Sequence, residues 1–341
     1  MRKQRNDYWT RREFLSAAAL AGAGTLLGAS DVGIAAESPP ETTKIRVIET
    51  PEVCTGTPLI VTQELLKSEG FTDVQPIKRT TGVDGTAAVA AGEADITITA
   101  APSLIARIDA GDPLMVLGGI HVGCFELFAT ERIRSLRDLK GKDVAVTKLG
   151  SGRHLLLAAA LKHVGLDPHT HVNWITDPAP KTMQLFAEGK IDAFMGFPPE
   201  PQELRARKIG RVILNTTTDK PWSQYFCCMA VANREFARKH PAATKRALRA
   251  LLKAANICAL KPQQAVKLRA DKGYTKGAYY ALQTIKELPY DKWREYDPED
   301  TIRFYSLRLH EAGMIKSNPQ KIIAQGTDWR FLRELKKELK A

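Results

Sequence analysis

The sequence lacks the residue patterns that mark most enzymes. No phosphate-binding loop, no acid/base pair and no nucleophile beside a base stands out among its 341 residues. Gly150-Ser151-Gly152 does not have the spacing of the G-x-S-x-G elbow of hydrolases. These absences argue against catalysis and against a bound cofactor. They favour a protein that binds its ligand noncovalently.

Cysteine patterns typical of metal sites are also missing. The five cysteines include no C-x-x-C pair and no Cys/His spacing typical of zinc, so the sequence predicts no metal site. An odd number of cysteines cannot all pair. In an oxidising compartment one or two disulfides can form, and the sequence does not indicate which cysteines they would join. The cysteines are Cys54, Cys124, Cys227, Cys228 and Cys258.

A basic strip interleaved with aromatic residues is absent, although the net charge is +12. The basic residues instead lie scattered on predicted helices, as Arg205, Arg207 and Lys208 do. This distribution is typical of a solvated helical surface, so we expect no nucleic-acid partner. The chain is long enough for two domains with a well-buried core.

The first 36 residues differ from the rest of the chain. Arg11-Arg12 precede the small apolar run from Ala17 to Leu27, which is too short to predict a membrane-spanning helix. The pattern resembles a bacterial twin-arginine export signal, a route for proteins exported already folded. We therefore expect a signal over residues 1–36, cleaved near Ala36 and without a lipid-anchoring cysteine, and a periplasmic protein. The alternative is a disordered basic tail.

The stretch from Leu136 to Glu200 has the pattern strand, helix, strand, helix, strand. This order predicts an open parallel sheet, in which ligands bind outside the carboxyl ends of the strands. The Gly150-Ser151-Gly152 break falls between a strand end and a helix start, where free N–H groups are available. Ser151, Gly152 and Arg153 are therefore candidate ligand contacts, and a serine N-cap without a ligand is the alternative.

The earlier part of the chain repeats this design. A strand at Lys44 to Glu49 leads into a loop over 51–57 and a helix from Pro58. Ala91-Gly92-Glu93-Ala94-Asp95-Ile96 and Glu188-Gly189-Lys190-Ile191-Asp192-Ala193 both place a glycine and an acidic residue before an apolar strand. We infer two similar α/β halves that face one another across a cleft, followed by helices from residue 241 onward.

Four phrases together resemble the periplasmic substrate-binding proteins of the nitrate/sulfonate/taurine class of ABC importers, which includes thiamine-pyrimidine precursor binders. They are Asp138-Leu139-Lys140-Gly141-Lys142-Asp143-Val144-Ala145-Val146, Gly150-Ser151, Gly165-Leu166-Asp167-Pro168 and Gly189-Lys190-Ile191-Asp192-Ala193. The resemblance implies an α/β fold class, the two-lobed type II periplasmic-binding fold, with two open sheets joined by a two-crossing hinge. It assigns residues 37–122 to lobe 1, 123–221 to lobe 2, and 222–341 to the return strand and C-terminal helices of lobe 1.

The resemblance also implies which residues line the ligand. Trp222 and Tyr225 lie near the crossing by which the chain returns to lobe 1, and they either stack on the ligand or pack within the protein. His121 either lines the cleft or holds the hinge together. The implied ligand-binding residues are Cys54, Thr55, Thr57, Ala101, Ser103, His121, Ser151, Gly152, Arg153, His154, Gly196, Pro198, Trp222, Gln224 and Tyr225.

The function implied by the resemblance is that of the solute-binding component of an ABC importer. Such a protein, expected here as a monomer, captures a small polar or anionic solute and delivers it to a membrane permease driven by an ATPase. Sulfonate, nitrate and carboxylate are the candidate solutes, with Arg153 as the cationic side chain at the predicted pocket. A pyrimidine or aromatic heterocycle is the alternative ligand.

Two other functions stay open. Thiamine-pyrimidine synthases resemble these binding proteins, and here Cys227-Cys228 precedes Ala232-Asn233 as their cysteine-rich phrase does. The full cysteine cluster of those enzymes is absent, however, and Ser103 stands where they have a histidine. The other alternative is a sensing role at a membrane receptor, which the sequence does not separate from delivery.

Overall fold

The computed structural model of the chain describes residues 37–80 and 85–339. The predicted export signal over residues 1–36 lies outside the described residues, as do residues 81–84 and 340–341. Within the described ranges, no helix combines the length and the apolar character needed to cross a membrane.

Two five-stranded sheets organise the described part of the chain. The strands are β1 Lys44–Glu49, β2 Asp73–Lys78, β3 Ile96–Ala100, β4 Leu114–Val122, β5 Glu126–Ala129, β6 Lys142–Val146, β7 Val172–Thr176, β8 Ala193–Gly196, β9 Arg211–Asn215 and β10 Phe226–Asn233. The first sheet has the order β2-β1-β3-β10-β4 and the second the order β7-β6-β8-β5-β9. The predicted α/β fold class with two open sheets is confirmed.

Each sheet combines a parallel part with antiparallel strands. Strand β1 pairs in parallel with β2 and β3, and β6 pairs in parallel with β7 and β8. Strand β10 is antiparallel to β3 and β4, and β5 is antiparallel to β8 and β9. The chain therefore leaves the first sheet between β4 and β5 and returns to it between β9 and β10.

The two crossings run side by side. The N–H of Thr216 donates to Phe125 O at 3.0 Å, and the N–H of Phe125 donates to Thr216 Oγ1 at 3.0 Å. A Cβ at Gly123 would come within 3.0 Å of Thr217, so the close approach requires glycine. Adjacent crossings form the kind of hinge about which two lobes close. The lobe limits stay a prediction, because the described residues from Pro39 onward form one compact unit.

Thirteen α-helices accompany the strands in residues 37–80 and 85–339. They are α1 Val53–Leu66, α2 Gly85–Ala90, α3 Ala101–Asp109, α4 Gly152–His163, α5 Ala179–Ala187, α6 Glu200–Ala206, α7 Arg234–Lys239, α8 Pro241–Leu260, α9 Pro262–Asp271, α10 Ala278–Glu287, α11 Pro298–Glu311, α12 Pro319–Gly326 and α13 Arg330–Glu338. Leu248, Leu251 and Leu252 of α8 are fully buried, and the helix packs on α1 and β4. These leucines form the apolar stripe by which α8 packs on the first sheet and on α1.

Helix α1 begins earlier than the sequence predicts. A loop is expected over residues 51–57 and a helix from Pro58, whereas the helix starts at Val53. Proline has no N–H, so the carbonyl four residues earlier, at Cys54, has no helical partner. The Tyr290 hydroxyl donates to that carbonyl at 2.7 Å and stabilises the early start, a long-range contact that no local pattern indicates.

Strand β4 continues through Gly118-Gly119, where the sequence predicts a loosened chain. In the register of the sheet, Gly119 lies opposite Met229 of β10. A Cβ at Gly119 would come within 3.0 Å of the Phe226 ring, so the glycine provides room for a buried aromatic side chain.

Candidate functional site

The N-termini of α3 and α4, which follow strands of different sheets, contact each other. A Cβ built on Gly152 would lie 3.1 Å from Ser103 Oγ, 3.2 Å from Ala100 Cβ and 3.6 Å from Phe125 Cζ. The sequence predicts both Ser103 and Gly152 as ligand contacts, and the structure brings them together. Only a small residue fits at Gly152 without displacing its neighbours.

The start of α4 is fixed by local hydrogen bonds. Ser151 caps the helix by accepting from the His154 N–H at 3.4 Å, and its hydroxyl donates to Lys148 O at 2.6 Å. The N–H of Gly150 donates to His154 Nδ1 at 3.1 Å. Burial, with a smaller contribution from His169, lowers the pKa of His154 to about 4, which keeps Nδ1 free to accept. His154 therefore supports the loop structurally.

Arg153 is already paired within the chain. Its guanidinium donates to both Glu200 carboxylate oxygens, at 2.5 and 2.9 Å, and to Met195 O at 2.8 Å. It also lies over the Phe197 ring, 5.6 Å from the centroid. The side chains of Arg153 and Glu200 are 12% and 16% exposed, so the ion pair is largely removed from water. An anionic solute would have to compete with this carboxylate.

The aromatic residues of the return crossing pack on α11. Tyr225 stacks on Phe304 with a centroid distance of 3.9 Å, and Trp222 meets the same ring edge-on at 5.4 Å. Trp222 is 2% exposed, whereas Gln224, which lies between Trp222 and Tyr225 in the sequence, is exposed to solvent. These contacts occupy faces of the Trp222 and Tyr225 rings that a ligand would need for stacking.

The remaining predicted contacts lie in separate surroundings. Thr55 Oγ1 donates to Glu52 Oε2 at 3.1 Å. Gly196 ends β8, where a Cβ would lie 3.1 Å from Pro201 Cγ of α6. Ala101 and Pro198 are buried. Thr57 is fully buried, and its Oγ1 has no hydrogen-bond partner among the described residues. Among the threonines of α1, Thr57 is therefore the one whose hydroxyl has no protein partner in the described ranges.

Arg269 is a buried cation that the sequence does not single out. It is 4% exposed, and its Nη2 donates to Pro51 O at 2.5 Å, just before α1. Its Nε and Nη1 have no hydrogen-bond partner in the described part of the chain. Burial lowers the pKa of Arg269. A buried guanidinium with unused donors is suited to an anion.

Four side chains with metal-ligating atoms meet in the core. The Sγ atoms of Cys54, Cys124 and Cys228 and a ring nitrogen of His121 all lie within 4.8 Å of one another. All four residues are at most 3% exposed. Cys227 adjoins them, with its Sγ 2.9 Å from Cys124 Sγ. Three thiols and an imidazole could hold a metal ion.

The sequence gives only weak signals of this cluster. His121 and Cys124 are separated by two residues, and the register places Cys228 opposite His121. Burial raises the pKa of the Cys54 and Cys124 thiols. Burial also acts to raise the pKa of Cys228, but hydrogen bonds from Cys124, Cys227 and Cys54 outweigh it and hold that pKa well below its usual range.

Solved structures share the fold of this chain. The periplasmic nitrate-binding protein NrtA from Synechocystis has a TM-score of 0.68 at 15% identity, covering 89% of this chain and 90% of its own. The alkanesulfonate-binding protein SsuA from Xanthomonas axonopodis pv. citri, bound to MOPS, has a TM-score of 0.66 at 16% identity, covering 86% and 99%. The aliphatic sulphonate binding protein SsuA from Escherichia coli has a TM-score of 0.65 at 21% identity, covering 86% and 94%.

The sequence itself matches a protein family over most of its length. No curated protein matches the chain significantly. The family model of the NMT1-like family matches residues 38–270, which include both sheets and both crossings. The chain therefore belongs to the NMT1-like family.

Proposed function

We propose that this protein is the solute-binding component of an ABC importer and captures a small polar or anionic solute between its two sheets. The observation that carries the proposal is the contact between the N-termini of α3 and α4, where Gly152 meets Ser103. Family membership and the fold shared with nitrate- and sulfonate-binding proteins support it.

Binding at this contact needs no covalent chemistry. The first-turn N–H groups of a helix have no intrahelical partner and carry the positive end of the helix dipole. Two facing helix N-termini therefore solvate an anion or a carbonyl group in place of water. Closure about the paired crossings then shields these hydrogen bonds from solvent.

An anionic solute needs a positive charge, and Arg269 is a better candidate than Arg153. Glu200 already neutralises Arg153, whereas Arg269 is buried with two unused nitrogen atoms among the described residues. We expect Arg269→Gln to weaken an anionic solute more than tenfold, about 1.4 kcal/mol, and to leave a neutral heterocycle unaffected. An equal loss of affinity for both ligand classes would show that Arg269 supports the fold and does not distinguish an anionic solute from a neutral one.

A thermal-shift screen of the full chain tests solute capture. The panel holds sulfonates, nitrate, carboxylates, pyrimidines and aromatic acids. A solute at 100 times its Kd adds about 2.7 kcal/mol of stability and visibly raises the melting temperature. A hit names the solute class, and a folded chain that responds to none of them would count against solute capture.

Gly152→Ala then tests where the solute binds. Its Cβ would lie 3.1 Å from Ser103 Oγ and push the two helix N-termini apart, so we expect a loss of affinity in calorimetry that exceeds any loss of stability of the unliganded protein. Gly118→Ala is the matched control, because its Cβ would make only ordinary contacts at 3.6 Å or more. Equal affinities for the two variants would place the solute elsewhere.

A pyrimidine or aromatic heterocycle is the second candidate ligand. The pairing of Arg153 with Glu200 favours it, because this pairing leaves less positive charge at the predicted pocket. An enzymatic function like that of thiamine-pyrimidine synthases is a weaker alternative. Incubation with a pyrimidine hit followed by product analysis separates the two, since a binding protein returns its ligand unchanged.

Delivery to a permease and its ATPase requires a periplasmic location, which the twin-arginine pattern supports. Changing Arg11-Arg12 to two lysines in the full chain should retain the protein in the cytoplasm. Unchanged export of this variant would rule out the twin-arginine route. We expect the exported protein to be a monomer, which sedimentation measures.

A further inference from the structure

We propose that Cys54, His121, Cys124 and Cys228 form a buried binding site for one thiophilic metal cation, of which Zn²⁺ is the representative. The four donor atoms lie within 4.8 Å of one another. In a tetrahedral zinc site with Zn–S bonds near 2.3 Å, donor atoms are about 3.7 Å apart. Small side-chain adjustments therefore bring this set to a tetrahedral geometry.

The fold brings the donors together from three distant segments. The first turn of α1 carries Cys54, the end of β4 and the first crossing carry His121 and Cys124, and β10 carries Cys228. The sheet register fixes one pair, since Cys228 lies opposite His121. Strand β10 lies inside the first sheet, and β4 pairs with it at the edge. Every donor residue is also buried, so the scaffold is rigid.

His121 has the arrangement of a metal-ligating imidazole. Its Nδ1 lies 3.3 Å from Val122 O, which is the backbone contact that holds such a ring and leaves the other nitrogen free. The other nitrogen, Nε2, is buried and has no hydrogen-bond partner within the described ranges. An orphaned buried nitrogen is costly, and a metal ion would satisfy it.

Cys124 supplies a second, independent indication. Its φ of 126° is a backbone conformation that residues other than glycine rarely adopt. Such strain is found where the surrounding structure or a bound group compensates it. Metal ligation of Cys124 Sγ would provide that compensation at the first crossing, between the two sheets.

The principal rival is a disulfide between Cys124 and Cys227, whose Sγ atoms are 2.9 Å apart. A disulfide would remove Cys124 from the donor set and leave two thiols and one imidazole. In the metal site, Cys227 keeps its proton and donates a hydrogen bond to the Cys124 thiolate. The two states therefore differ in the number of free thiols after the metal is removed.

Metal binding at this site replaces thiol protons with the metal ion. Zn²⁺ forms three Zn–S bonds and one Zn–N bond, and three thiol protons leave to solvent. The complex carries one net negative charge. The buried Arg269 donates to Pro51 O, three residues before Cys54, and so places a positive charge on the segment that carries this donor. If the chain follows the predicted twin-arginine route, the ion can be loaded before export.

The test uses the full chain purified without oxygen, without added reductant and without added chelator. We expect elemental analysis to find about one thiophilic metal per chain. Exchange with Co²⁺ should give the intense visible bands and the sulfur-to-cobalt charge-transfer band of a tetrahedral thiolate site. After denaturation with chelator and no reductant, five free thiols support the metal site, whereas three would establish the disulfide instead.

Variants separate this site from adventitious binding. Cys228→Ser and His121→Ala should each lose the stoichiometric metal and the cobalt charge-transfer band. Cys258→Ser is the matched control, because Cys258 is equally buried but lies outside the donor group. Equal metal content in all three variants would overturn the proposal. If a variant at a donor residue does not fold, the cobalt spectrum and the thiol count of the unaltered chain still distinguish the metal site from the disulfide.

Discussion

Adjacent glycines in β4 offer a sharp test of how this core is packed. Consecutive strand residues point to opposite faces of a sheet, so Gly118 and Gly119 see different neighbours. A Cβ at Gly118 would lie 3.6 Å from the Leu332 methyl groups, which is ordinary contact. At Gly119 it would come within 3.0 Å of three ring atoms of Phe226. The same chemical change should therefore have opposite effects at neighbouring positions.

The magnitude follows from how firmly the Phe226 ring is held. Phe226 is fully buried, its ring meets Tyr296 at 5.9 Å, and its backbone N–H donates to Thr301 Oγ1 at 3.0 Å. Overpacking of this kind costs about 1–3 kcal/mol. Replacing glycine by alanine restricts the unfolded chain and returns roughly 0.5 kcal/mol. We expect Gly119→Ala to lower the free energy of unfolding by about 2 kcal/mol and Gly118→Ala to leave it equal or slightly higher.

Thermal unfolding followed by circular dichroism measures both variants. At about 2 °C per kcal/mol for a chain of this size, Gly119→Ala should melt about 4 °C below the unaltered protein. Adding Phe226→Leu should recover part of the loss, because the smaller side chain makes room for the new methyl group. A Gly119→Ala protein as stable as Gly118→Ala would refute the packing argument.

Three further predictions concern buried polar groups. Glu200→Gln leaves the Arg153 guanidinium without its carboxylate and should cost about 2–3 kcal/mol in urea unfolding, with no loss if the pair is dispensable. Tyr290→Phe removes the donor to the Cys54 carbonyl and should cost about 1–3 kcal/mol, measured the same way, whereas an unchanged stability would mean that α1 starts without this bond. The pKa of His154 is lowered from 6.5 to about 4, so the unfolded chain binds more protons between these values. Stability should fall by up to about 3 kcal/mol as pH drops from 6.5 to 4, and His154→Gln should flatten that slope in melting curves against pH.

Local sequence patterns identified the fold well. The strand at Lys44–Glu49 and the helix-strand alternation through β6, β7 and β8 match the structure, because burial of one face imposes a period that a few residues reveal. Ser151 and Gly150 mark the start of α4 correctly, since capping and left-handed turns depend on neighbours in the chain. Helices were expected from residue 241 onward, but the separate bounds of α9 and α12 were not predicted.

The candidate site was only partly accessible to such patterns. Ser103 and Gly152, in two separate loops, were each expected to line the ligand, and the structure brings them close together. The partner of Arg153 was not predicted, because Glu200 lies 47 residues away in the sequence and no spacing rule connects the two residues. Arg269 carried no signal at all, since a lone arginine on a helix is usually exposed.

The α/β class, the repeat of two similar halves and the helix N-termini at strand ends could all be inferred from the sequence, because these features depend on residues within a few positions of one another. Which side chains meet could be seen only in the folded protein. The tertiary structure brought Cys54, His121, Cys124 and Cys228 within 4.8 Å and paired Arg153 with Glu200. Such contacts depend on sheet register and on how the two crossings return the chain, and neither is encoded in local periodicity.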